Sequence, residues 1–149
     1  MVPIPGAVQI PVKPATVATN ATAAGFVDCL DYDYCKITVF GPTHATNNRP
    51  AILTISSGTN TVASSQTDIT ALVGGGAGGF TIPASTTVVT SGYKVVFLID
   101  LRGKDRYLGI EYTPGTDATH MMACLAQLFR GDAMPLSATA AQANGLFTE

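Results

Sequence analysis

The chain has 149 residues, enough for one domain with a buried core, and 46% of them are hydrophobic while only 12% are charged, with a formal net charge of -2. That composition excludes a generally disordered chain. It also lacks the basic excess of a phosphate-neutralising surface, so nucleic acid is not an expected partner.

Residues 1–25 form a distinct Pro/Ala/Thr-rich segment containing Pro3, Pro5, Pro11 and Pro14. Proline fixes φ and removes a backbone donor, so this part is expected to be extended, neither helix nor central strand. In polyproline form twenty residues would reach about 60 Å. The segment reads as an arm that becomes ordered against a partner. No secretory signal is visible in "MVPIPGAVQIPVKP", and Asn20-Ala-Thr22 reads as a chance match to a glycosylation sequon.

Short strands follow. "YCKITVF" (34–40) places Cys35, Ile37 and Val39 on one face and Tyr34, Lys36, Thr38 and Phe40 on the other, before Gly41-Pro42 stops it. Further strands are expected at "AILTIS" (51–56), "TVASS" (61–65), "FTIP" (80–83) and "TTVVT" (86–90), with a short helical turn at "TDITAL" (67–72). "YKVVFLIDL" (93–101) is nearly continuous apolar and reads as a strand buried on both faces. "RYLGIEYT" (106–113) alternates, and "HMMACLAQLF" (120–129) suits either a buried strand or a helix. Turn residues every 8 to 12 positions point to an all-β sandwich or barrel spanning residues 26–133. The tail, residues 134–149, returns to small residues and reads as a second arm or a short helix. Residues 69–93 are free of charge, but Gly, Ser, Thr and Pro83 rule out a membrane span, and no membrane partner is expected.

The chemical motifs are weak. "GGGAGG" (74–79) satisfies GxGxxG, yet strand-like sequence follows it where a dinucleotide site needs a helix, so it reads as a loop tip. His120 and Cys124, with Cys29, Cys35 or His44, lack the paired spacing of a zinc site, and no metal is expected. Asp28, Asp31 and Asp33 read as a polar edge rather than a general acid and base. No serine sits in a nucleophile elbow, so no enzyme activity, cofactor or small-molecule substrate is expected. Arg130-Gly131-Asp132 matches the adhesion tripeptide but reads as a turn. Sugar stacking would fall to Tyr32 and Tyr34 in a chain with no Trp.

"DLRGKDR" (100–106) packs five charged residues into seven positions. Both signs are nearly balanced, and Gly103 sits inside a polar connection between two strand candidates. That is the form of a solvated β-hairpin loop.

The order "GYKVVFLIDLRGKDRYLGIEYTPGTDATHMMACLAQLFRGDAMP" (92–135) resembles the C-terminal half of head decoration, or cement, proteins of tailed bacteriophages. Arg102-Gly103-x-x-Arg106-Tyr107 carries the resemblance most directly. "GFVDCLDYDYCKITVF" (25–40) is similar to the opening strand of that family, and "TDITAL" falls at its short polar insertion. The glycine tract and the proline-rich start depart from it. The resemblance implies a jelly-roll-like antiparallel β-sandwich with an extended N-terminal arm. It implies a structural virion protein, assembled in the host cytoplasm, that binds the major capsid protein and stabilises the head as a homo-oligomer. Its contacts would be the arm, through Pro3, Pro5, Pro11 and Pro14, and the loop, through Arg102, Lys104, Asp105 and Arg106, with no chemical step. The alternative reading is a carbohydrate-binding or adhesive sandwich of a virion fibre.

Overall fold

The structure, a computed structural model, describes residues 5–41, 50–82, 93–115, 119–130 and, as backbone, 145–148. Pro3, His44, the strand expected at 86–90, Gly131, Asp132 and the helix expected near the C-terminus lie outside the described residues.

Alternation decides which side chains face inward. Cys35, Ile37 and Val39 of β3 (Tyr34–Gly41), Leu53 and Ile55 of β4 (Ile52–Gly58), and Leu108, Ile110 and Tyr112 of β7 (Tyr107–Thr113) are buried in one core. Val95, Phe97 and Ile99 of β6 (Tyr93–Asp100) join them. So do Met122, Cys124, Ala126 and Leu128 of β8 (His120–Phe129). Each fully buried Leu, Ile or Phe contributes about 1.5–3 kcal/mol of transfer free energy, which makes this core the main stabilising term. The 120–129 segment is therefore a strand, with a two-residue period of burial from His120 to Leu128. Val96 and Leu98 are as buried as their inward neighbours, so β6 is covered on both faces, as its unbroken apolar run implies.

Two sheets enclose the core. One has the order β1-β8-β3-β6-β9, where β1 is Pro5–Val17 and β9 is Gly145–Thr148. The other has the order β2-β7-β4-β5, where β2 is Ala23–Asp28 and β5 is Gln66–Val73. Neighbours are antiparallel except β9, which runs parallel to β6. The fold is thus all-β, a sandwich. From β1 to β8 every connection except β4 to β5 passes from one sheet to the other.

The N-terminal segment is extended, but it does not stand apart as an arm over residues 5–28. β1 runs antiparallel along β8 as an edge strand, and β2 is the edge of the other sheet. The prolines explain both facts. The register slips between Pro5 and Ala7, between Gln9 and Val12, and between Val12 and Ala15, so Pro5, Pro11 and Pro14 each sit at an irregularity. A residue without an N–H is tolerated at a sheet edge or bulge and nowhere else in a ladder. Val12 and Val17 still turn into the core.

Three further expectations change. The 67–72 segment is strand β5, not a helical turn. Two residues of β4 oppose a longer stretch of β5, since Thr54 pairs with Val73 and Ser56 with Asp68. This bulge places the buried Ile69 and Leu72 three apart and imitates helical spacing. Residues 61–65 form no strand, and a 3-10 turn at Ala63–Ser65 leads into β5 instead. Residues 100–106 do not close a hairpin, because β6 and β7 belong to different sheets. A short polar link containing glycine reads the same whether it joins two paired strands or crosses the end of a sandwich.

The seam between the edge strands β1 and β2 is tight. The side-chain amide of Gln9 donates from Nε2 to Asp28 O at 2.8 Å and accepts the Asp28 N–H on Oε1 at 3.1 Å. A Cβ on Gly25 would lie 2.2 Å from Pro11 O, a contact with backbone that no rotamer relieves. Gly25→Ala is expected to destabilise the protein by about 1–3 kcal/mol in urea unfolding, while Ala24→Ser, on the exposed side of the same strand, stays within about 0.5 kcal/mol. Equal effects from the two substitutions would contradict the close approach.

Candidate functional site

At one end of the sandwich the link from β2 to β3 meets the link from β6 to β7. Backbone bonds lash them together, Cys29 N–H donating to Arg106 O at 2.8 Å and Leu101 N–H to Asp33 O at 2.8 Å, while Asp33 N–H donates to Phe129 O at the end of β8 at 3.0 Å. Gly103, at φ 82°, forms the turn that lets Lys104 N–H return to Leu101 O at 3.0 Å. Asp105 N–H donates to Ser57 Oγ at 2.9 Å, which ties the turn to β4.

On this frame the charges of 100–106 are paired. Arg102 forks onto Asp100, with Nε 2.9 Å from Oδ1 and Nη2 against Oδ2. Arg106 spans the two links to reach Asp28, with Nε 2.9 Å from Oδ1 and Nη2 2.6 Å from Oδ2. Three guanidinium groups also cover aromatic rings: Arg102 lies 5.3 Å from the Tyr34 centroid, Arg106 4.9 Å from Tyr107, and Arg130 5.3 Å from Tyr32. Arg130 Nε donates to Asp31 O at 2.8 Å. Solvent screens these exposed ion pairs and ring contacts, so each adds little net stability. The set fixes geometry more than it adds stability.

Several residues that are separate in the sequence therefore converge here. Arg102, Lys104, Asp105 and Arg106 share one end with Asp28, Asp31, Tyr32 and Tyr34. Pro5, Pro11 and Pro14 lie along β1. The Tyr32, Tyr34 and Tyr107 faces that a sugar would stack on are already met by arginines. Beside the turn an open groove of about 570 Å3 runs between β5 and the 103–105 backbone, with Ser57, Asp68, Thr70, Lys104 and Asp105 among its walls.

The sulfur groups behave as core. Cys29, Cys35 and Cys124 are all buried. The Cys29 thiol hydrogen-bonded to Cys35, together with burial, holds the Cys35 pKa well above the ordinary thiol range, and burial pushes Cys124 up to about 12. His120 accepts or donates a 2.6 Å bond from Nδ1 to Tyr112 Oη, and the pair joins β8 to β7 across the core. Among the described residues no three His, Cys, Asp or Glu side chains are grouped so as to hold a metal ion. The glycine tract is closed on itself, with Gly75 N–H donating to Phe80 O at 2.8 Å and Phe80 N–H to Val73 O at 3.2 Å.

Gln9 and Ser57 carry no signal in the sequence, because each acts through a partner distant in the chain, and the Tyr112 and His120 pairing is hidden because β7 and β8 lie in different sheets. No protein-family model matches this chain, and no curated protein matches it.

The carboxyls report on this end. The Arg102 hydrogen bonds hold Asp100 at about 2, below its ordinary 3.8, and Arg106 lowers Asp28. A lowered folded-state pKa stabilises fully above the unfolded value and is lost as pH falls through the folded one. The difference in thermal midpoint between the wild type and Asp100→Asn is therefore expected to narrow from about pH 5 to about pH 2. A difference that stays constant over that range would contradict the pairing.

Proposed function

We propose that this chain is a jelly-roll structural protein of a virus particle, a decoration or minor capsid protein that binds the outer lattice of a filled phage head. The observation that carries the reading is the strand order. With β9 set aside as an addition, β1-β8-β3-β6 faces β2-β7-β4-β5, the order produced by two interleaved Greek keys. Jelly rolls of this kind build viral capsid and lectin domains. Fold alone does not assign a function. The resemblance over residues 25–136, resting on Arg102, Gly103, Arg106 and Tyr107, favours the capsid branch. The arginines seated on Tyr32, Tyr34 and Tyr107 weigh against the lectin branch, since a pyranose would have to displace them.

On this reading the major capsid protein is the partner and several copies sit together on the head surface. The role needs no chemical step and no cofactor. The groove wall at Lys104 and Asp105 and the β1 edge are the surfaces offered to the lattice.

The test is co-sedimentation of the purified chain with phage heads assembled without it. Saturable binding at a fixed ratio to the major capsid protein is expected. The double variant Lys104→Ser with Asp105→Asn should fold normally and bind roughly tenfold more weakly, the scale of one lost polar contact. No binding to heads, together with saturable binding on a glycan array, would favour the adhesive alternative and overturn the proposal.

A further inference from the structure

The two outer faces of the sandwich differ in character. Side chains on one face of the β1-β8-β3 region point away from the core: Val8, Ile10, Phe40 and Met121 are 41 to 65% exposed. They account for most of the exposed large hydrophobic residues in the described chain. Lys36 belongs to the same face, in the row formed by Val8, Gln127 and Lys36. Its ammonium is partly buried, and that burial, followed by repulsion from Lys94, lowers its pKa. The arrangement is an apolar surface with a cation that lacks an ion-pair partner among the described residues.

The opposite face, formed by β7, β4 and β5, carries acids. Glu111 lies between Ala24 and Thr54 on the outer side of β7. Asp68 pairs with Ser56, which in turn pairs with Gly109, so it shares that side. Ile52, 40% exposed, supplies an apolar contact at the end of β4. Neither Glu111 nor Asp68 has an ion-pair partner among the described residues.

We propose that the chain self-associates head to tail, the apolar Lys36 face of one copy docking on the Glu111 and Asp68 face of the next. Charge selects this arrangement over a two-fold pair. A dimer through the Lys36 face would bring cations together, and one through the Glu111 face would bring carboxylates together. Apolar area supplies the attraction, and opposite charges fix which faces meet. A heterologous contact of this kind leaves one face of each type unused at the ends, so it closes into a ring or extends as a strip. The association is a property of the purified chain and stands or falls separately from binding to a head.

Sedimentation velocity over a concentration series at about 0.05 M and about 0.5 M salt tests it. The wild type is expected to associate at low salt and to do so more weakly at high salt. Lys36→Glu and Glu111→Lys, each checked for native circular dichroism and thermal midpoint, should each weaken association about tenfold or more. The double variant carrying both substitutions should recover it, because the exchanged charges again meet their opposites. Phe40→Ser should weaken association without changing its salt dependence. A wild type that stays monomeric at low salt, a Lys36→Glu variant that associates normally, or a double variant that fails to recover would each overturn the proposal. Should a single substitution prevent folding, Lys36→Gln and Glu111→Gln take its place, with loss of salt dependence expected and an unchanged salt dependence overturning it.

Discussion

Asp28 is the residue through which the edges and the end of the sandwich are joined. Its backbone N–H and carbonyl are both taken by the Gln9 side chain, which holds β1 against β2. Its carboxylate takes the Arg106 fork, which holds the link between β6 and β7, and Oδ1 also accepts the Leu30 N–H at 3.2 Å. Three segments far apart in the sequence, those of Gln9, Asp28 and Arg106, meet at one residue. No single bond there is strong, but each fixes an orientation that the others require. The tight passage of Pro11 over Gly25 adds a steric condition at the same seam.

The seam matters because of the connectivity. With all but one connection between β1 and β8 crossing from sheet to sheet, only β4 and β5 can pair as a local hairpin before the sheets come together. β1 finds its partner in β8, at the other end of the described core, and β8 is held on its second side by β3. Loop-closure entropy is incurred before such contacts return anything, and folds dominated by non-local pairing form slowly. A first strand fixed in place late, against an already formed β8, agrees with its prolines and its slipped register.

The sequence made some of this legible and hid the rest for physical reasons. Strands β3, β4, β6 and β7 stand out because alternation or an unbroken apolar run survives in each. β8 is ambiguous in the sequence since ten mostly apolar residues carry little contrast, although His120, Met122 and Cys124 do share the inner face. β5 reads as helical because its bulge spaces Ile69 and Leu72 like one face of a helix. β1 reads as an arm because proline density signals extension without saying whether a partner strand lies alongside. The charged end was half legible: "DLRGKDR" announced a polar connection, but nothing in it reveals that Arg106 reaches back to Asp28 or that β7 lies in the other sheet.

The asymmetry of the two outer faces follows from the same plan. An interleaved sandwich gives each sheet one inner face by alternation and leaves the outer one free to vary, apolar and basic on one side, polar and acidic on the other. All of this depends on β1 being a strand of the sandwich and not a free arm. Hydrogen exchange of the backbone amides in the native protein measures that directly. β1 amides bonded to β8 are expected to show protection of the same order as those of β8 itself. Exchange of residues 7–17 at the rate of an unfolded chain, beside a protected β8, would contradict the account.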